Sequence, residues 1–275
     1  MKLFKFIRHV LIRFWEIISY RQDAFSQTSC DVVLICHEKD FQTAKLVLDG
    51  VLANSLNPIQ NIFFVSTLIE APNWLPKNIK YIYEDDVVGV KAAKILLGSL
   101  PYKGWVLQQI LKLSADQFSK KFVVLDCDTV LLKPHLFFDS ETTVLRLAYE
   151  YSPHYRAFEK SLGISSFGLF SYTCHMMPYK SEVLNLLKGQ IENLTGMDWI
   201  EYFCKFAIDH GMVVNEQDLY AKFLISENFP VIYRPWFNKT VPTHLGVSYE
   251  TLKESFSRRN SVSLHNNEDR QLVIK

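Results

Sequence analysis

The stretch KFVVLDCDTVLLKP, residues 121–134, runs four apolar residues straight into a pair of acids. Phe122, Val123, Val124 and Leu125 make a short β-branched and aromatic run, the signature of a strand buried on both faces. Asp126 and Asp128 follow with only Cys127 between them. Buried carboxylates cost several kcal/mol unless something positive meets them. Side chains at i and i+2 leave a strand from the same face, so the two carboxylates can converge on one point. Carboxylates with an open coordination sphere suit Mn2+ or Mg2+, which bridge protein oxygens to a substrate diphosphate. The bland alternative is a solvated turn carrying two capping acids. The place of the pair, at the end of a hydrophobic strand, favours the cation.

The surroundings read as α/β. Asp31–Cys36 is a buried first strand, and helical periodicity through 41–56 ends at Asn57-Pro58. Asn61–Ser66 is a second strand and Ile79–Tyr83 a third, running into Glu84-Asp85-Asp86. GWVLQQILKLSA, residues 104–115, is a helix leading to the aspartate strand. This alternation predicts a parallel sheet with helices on its faces, and such sheets bind ligands at the carboxyl ends of their strands.

The second half has a strand over 142–150 and an aromatic stretch over 151–170 without clear period. Helices follow over 181–196 and 199–211, each closed by a Gly. A last helix over 215–229 has Asn215 placed to cap it. There is no repeat and no linker. The expected organisation is one continuous domain over 30–275 behind an N-terminal segment, 1–21.

Composition narrows the classes. Hydrophobic residues make up 48% of the 275 and charged residues 21%, enough for a sizeable core. A net charge of +1 argues against a nucleic-acid binder, which would carry a strongly basic face. The five cysteines are odd in number and show no CxxC spacing, so a reducing compartment is the simpler reading. Residues 1–21 have neither the uninterrupted apolar core of a signal peptide nor the length of a spanning helix. On a helical wheel Leu3, Phe4, Phe6, Ile7, Val10, Leu11, Phe14, Trp15, Ile17 and Ile18 fill one side, and Lys2, Lys5, Arg8, His9, Arg13 and Glu16 the other. Two readings stand: a basic amphipathic helix on an anionic membrane surface, or a terminal helix packed on the domain.

The strand-borne LDCDTVLLKP resembles the DxD segment of GT-A-fold, nucleotide-sugar-dependent glycosyltransferases. GWVLQQILKL, CHMMPY and the NEQDLY helix start, in that order, resemble a bacterial glycosyltransferase-like group associated with lipopolysaccharide and capsule synthesis. The likeness covers most of residues 30–266. It implies a GT-A-like α/β fold: a Rossmann-type nucleotide-sugar half over 30–135 with a mixed central sheet and helices on both faces, and an acceptor half over 136–275. It further implies a nucleotide-sugar donor, a glycan or lipid-linked acceptor, and work at the inner face of the cytoplasmic membrane.

Site residues follow from the same resemblance. Asp126, Asp128 and the C-terminal His265 would hold the cation, imidazole favouring Mn2+ over Mg2+. His37 and Asp40 after the first strand, with Glu84 and Asp85 after the third, would bind the nucleotide. Lys103, Gln108, Gln109 and His175 would bind substrate, while Trp105 packs its helix or stacks on a ring. Asp218 is the expected base with Glu216 holding the acceptor, although acids in a helix's first turn are favoured by the macrodipole alone. Two other classes compete. One is a metal-dependent nucleotidyltransferase or phosphohydrolase, disfavoured because ICHEKDF carries no glycine for a phosphate loop. The other is a non-catalytic membrane-associated scaffold.

Overall fold

The computed structural model describes residues 23–148, 156–164, 170–211, 214–242 and 247–265, together with Ile7, Val10, Leu11 and Phe14. Most of the expected 1–21 helix, and the side chain of His265, lie outside the described residues.

Strand β1, Cys30–Cys36, is buried along its whole length. It pairs in parallel with β2, Ile59–Ser66, on one side and with β4, Lys121–Asp126, on the other. β3, Lys80–Tyr83, extends the sheet beyond β2, and β8, Met176–Lys180, closes it antiparallel against β4. The order is β3-β2-β1-β4-β8. The parallel core was legible in the apolar runs; the antiparallel edge was not. Pro178 sits opposite Val123 in β8, and as an edge strand β8 tolerates a residue with no N–H to donate.

Alternate residues feed two cores. Val33, Ile35, Phe122 and Val124 face one, beneath helices α2 (Val90–Leu97), α3 (Lys103–Leu113), α4 (Arg156–Ser161), α5 (Ser181–Thr195), α6 (Trp199–His210) and α7 (Glu216–Ser226). Val32, Leu34, Val123 and Leu125 face the other, against α1, Phe41–Asn54. Burying side chains of this size contributes about 1.5–3 kcal/mol each. The register of β4 on β1 is therefore fixed, with Ile35 opposite Asp126; a one-residue slip would turn every side chain to the wrong core. That register puts Asp126 on the face of Ile35, under α3.

Two small sheets flank the main one. β5 (Thr129–Leu131), β11 (Ser261–His265) and β10 (Asn238–Pro242) form one; β6 (Phe138–Asp139), β7 (Thr142–Leu147) and β9 (Val231–Pro235) form the other. Helix α1 lies so close to β5 that a Cβ on Gly50 would stand 2.9 Å from the Leu131 carbonyl oxygen. From the same helix Asn54 Nδ2 donates to that oxygen at 2.9 Å. The chain leaving the two aspartates is thus tied down within a few residues. Among the described residues, no helix is long and apolar enough to cross a membrane.

Candidate metal and donor site

All four parallel strands end at one edge of the sheet, and β1 and β4 meet where the strand order reverses. At such a switch point the loops diverge and leave a crevice. Asp126 is the last residue of β4, Cys127 and Asp128 form the turn, and β5 begins at Thr129. Cys127 drops into the lower core beside Cys36, its thiol held well above its ordinary pKa by burial first, then by Cys36 and Asp40. Asp128 accepts from Thr129 Oγ1 at 2.9 Å.

His175 stands opposite. It precedes β8 with φ +57°, a conformation that side-chain-bearing residues adopt at a cost. Its carbonyl accepts the Asp126 N–H at 2.9 Å, and its Nδ1 lies 3.3 Å from Asp126 Oδ2. Donor atoms of Asp126, Asp128 and His175 all lie within 4.8 Å of one another. Two carboxylates and an imidazole are a donor set suited to Mn2+, and less closely to Mg2+, so the residues fit the cation expected from the sequence.

One member was not expected here. His175, expected at the substrate, joins the aspartates. The strand carrying His265 reaches the site through Leu264, whose N–H donates to Asp128 O at 2.7 Å.

Sequence reasoning missed Lys112. The ammonium lies 2.6 Å from Asp126 Oδ1 and 2.8 Å from Glu216 Oε1, with only 7% of the side chain exposed. A protein cation therefore meets one oxygen of this half-buried acid, a role first ascribed to a metal alone. Burial opposes ionisation of Asp126, but the Lys112 ammonium and the His175 ring outweigh it and hold the carboxyl well below the usual range. Burial likewise works against Lys112, and its two carboxylate partners overcome that and raise its pKa.

The NEQD segment proves to be a clamp. Asn215 Oδ1 accepts from Asp218 N at 2.8 Å, capping α7 as expected, while its Nδ2 donates to Thr173 Oγ1 at 2.7 Å. Gln217 Oε1 accepts from Cys174 N at 2.8 Å. Asp218 Oδ1 accepts from Tyr172 N at 2.5 Å and Ser171 Oγ at 3.1 Å, and Lys222 Nζ lies 3.4 Å from its other oxygen. The strand-like run 171–174 that delivers His175 is thus held along its length. Asp218, expected to act as a base, gives one oxygen to that run and the other to Lys222, and is 4% exposed. Glu216, expected at the acceptor, is committed to Lys112.

The remaining expected residues occupy the same edge or its surroundings. His37 caps a 3-10 turn over Glu38–Asp40, its Nδ1 accepting from Lys39 N at 3.3 Å. Glu84 and Asp85, in the 3-10 turn after β3, both pair with Lys94, and Tyr83 OH donates to Asp85 at 3.1 Å. From β3 to β4 is three strand spacings, about 14 Å. Lys103 is drawn off to cap α2, donating to Lys94 O at 2.9 Å and Gly98 O at 3.1 Å. Gln109 is buried, whereas Gln108 is half-buried and Trp105 exposed. No protein-family model matches the chain, and neither does any curated protein.

Proposed function

We propose that this chain is a cation-dependent glycosyltransferase of the GT-A type, moving a sugar from a nucleotide-sugar donor to a glycan or lipid-linked acceptor in bacterial surface-polysaccharide assembly. The observation that carries the reading is the convergence of Asp126, Asp128 and His175 at the sheet's switch point. Asp126, Asp128 and His175 would hold Mn2+ or Mg2+, which when bound supplies charge neutralisation to a leaving diphosphate. The Glu84 and Asp85 carboxylates accept hydrogen bonds from ribose hydroxyls or a base N–H. The β3–β4 separation of about 14 Å suits a nucleoside at one end and a diphosphate at the other. Gln108, on the helix above, offers an amide to sugar hydroxyls. Work on the inner face of the cytoplasmic membrane belongs to the same reading. Ile7, Val10, Leu11 and Phe14 are helical and exposed, at 39–60%, spaced to form one apolar stripe beside a basic one.

The test is a panel of sugar nucleotides, each with and without Mn2+, scored by thermal stabilisation and by release of free sugar. One nucleotide series should give both, and only with the ion. Stabilisation by none would overturn the proposal. Cleavage within the diphosphate, leaving the sugar on its phosphate, would transfer the site to the phosphohydrolase class.

A further inference from the structure

We infer that Lys112 is a resident cation that occupies one oxygen of Asp126 and keeps the site from taking a divalent ion until a diphosphate arrives with it. The inference rests on the cation-dependent reading above and adds an order of binding to it.

Three observations carry it. First, the ammonium has two fixed partners, Asp126 Oδ1 at 2.6 Å and Glu216 Oε1 at 2.8 Å. Second, it is enclosed. Only 7% of its own side chain is exposed, and Glu216 sits in the first turn of a helix buried from Glu216 to Leu224. Third, with Oδ1 so held, Asp126 presents Oδ2 alone, shared with His175 Nδ1 at 3.3 Å.

Coordination arithmetic follows. Asp126 Oδ2, Asp128 and His175 supply about three of the six positions that an octahedral Mg2+ or Mn2+ demands, leaving the others for phosphate oxygens and water. An ammonium on the neighbouring oxygen repels the incoming ion through a poorly screened interior. Two negatively charged phosphate groups restore the balance when they bind together with the ion. Cation and diphosphate therefore bind with strong positive coupling, and each raises the affinity of the other by the same factor.

The test measures free Mn2+ by electron paramagnetic resonance during titration of the full chain, alone and with saturating UDP, GDP, ADP or CDP. Unaltered protein should bind Mn2+ weakly alone and at least about ten-fold more tightly with one of the nucleotides. The double variant Lys112→Met/Glu216→Gln removes one charge of each sign and so keeps the local balance. It should bind Mn2+ alone about ten-fold more tightly than unaltered protein, and lose most of the coupling. Equal Mn2+ affinity in the folded double variant would overturn the inference. So would unaltered protein whose Mn2+ affinity ignores every nucleotide, a result that needs no variant. Mn2+ binding under no condition at all would overturn the cation reading itself, and the inference with it.

Discussion

His175 meets Asp126 twice, through its carbonyl oxygen at 2.9 Å from the Asp126 amide and through its ring Nδ1 at 3.3 Å from Oδ2. The first contact continues the antiparallel ladder of β8 on β4 by one residue. The second brings the ring to the Asp126 carboxylate, from a residue whose φ is +57°. Backbone and side chain make opposing demands on the residue: the backbone favours glycine, and the site favours imidazole.

Replacing His175 by Gly and by Ala separates those demands. The left-handed conformation costs a residue with a Cβ roughly 1–2 kcal/mol, and glycine nothing. His175→Gly should therefore be more stable than His175→Ala by about 1 kcal/mol in urea unfolding, while both lose Mn2+ affinity about equally, by ten-fold or more. Equal stability of the two would mean that the backbone relaxes freely there.

The two aspartates should respond differently to neutralisation. Asp128→Asn keeps an acceptor for Thr129 and should leave the melting temperature nearly unchanged while abolishing Mn2+-dependent stabilisation by nucleotide. Asp126→Asn also takes one of two counter-charges from the buried Lys112, and removing a partner of a buried pair leaves an uncompensated charge. About 2–4 kcal/mol of stability should go with it. A fold-collapsing Asp128→Asn would give that residue a structural duty instead.

Asp218 tests the clamp. As an acceptor-side base, its loss would spare the fold and donor binding and remove transfer alone. The geometry predicts another outcome: Asp218→Ala orphans the Tyr172 N–H and takes one partner from Ser171, whose Oγ keeps Thr173, while Lys222 keeps Glu159 at 2.5 Å. Leaving such a buried N–H unsatisfied costs about 1–3 kcal/mol, so the melting temperature should fall. Mn2+ affinity should fall too as the run leading to His175 loosens. Unchanged stability with lost transfer would restore Asp218 as base.

What the sequence made legible is what depends on local pattern. The continuous apolar runs announced β1, β2 and β4, and the glycines after 195 and 210 take the left-handed conformations, φ +68° and +60°, that close α5 and α6. The paired aspartates at a strand end announced the site. The missing parts depend on contacts between distant segments. Lys112 looks like a surface lysine, with Asp116 four residues on as a ready partner, but α3 ends at Leu113 and Asp116 pairs with Lys188 at 2.7 Å. The available signal was its setting: Ile110, Leu111 and Leu113 surround it in sequence, and a lysine inside an apolar turn needs a carboxylate from elsewhere. β11, with the polar sequence SVSLH, has no strand signature and is defined by its pairing with β5 and β10. Helix α2 is only 8 residues long and begins after Gly89, at φ +86°.

The exposed stripe of Ile7, Val10, Leu11 and Phe14 should be what holds the protein to lipid. Deleting residues 2–20 should abolish co-sedimentation with phosphatidylglycerol liposomes, and Phe14→Glu should weaken it by about ten-fold or more, since a buried phenyl ring is worth roughly 1.5–3 kcal/mol. High salt should weaken binding further by screening the basic face. Undiminished binding of the deletion variant would end the membrane assignment.

Acid sensitivity should begin at His135, far from carboxylate pH. Its ring is fully buried, 5.6 Å from that of Trp236, with Nε2 3.4 Å from the Asn260 carbonyl. Burial first, and the Arg146 charge second, hold its pKa well below 6.5. Above about pH 6.5 neither the folded nor the unfolded chain protonates this histidine, and its contribution is constant. Below that, the unfolded chain binds a proton that the folded chain refuses, so stability falls as pH falls, by up to about 1.4 kcal/mol per pH unit. Asp126, whose folded pKa is also depressed, adds its own loss only below about pH 4. Between pH 7 and 5 the unaltered protein should therefore lose several degrees of melting temperature. His135→Gln, which cannot take a proton, should show a markedly flatter profile over that interval whatever its absolute stability. Parallel slopes for the two proteins would place the acid-sensitive group elsewhere.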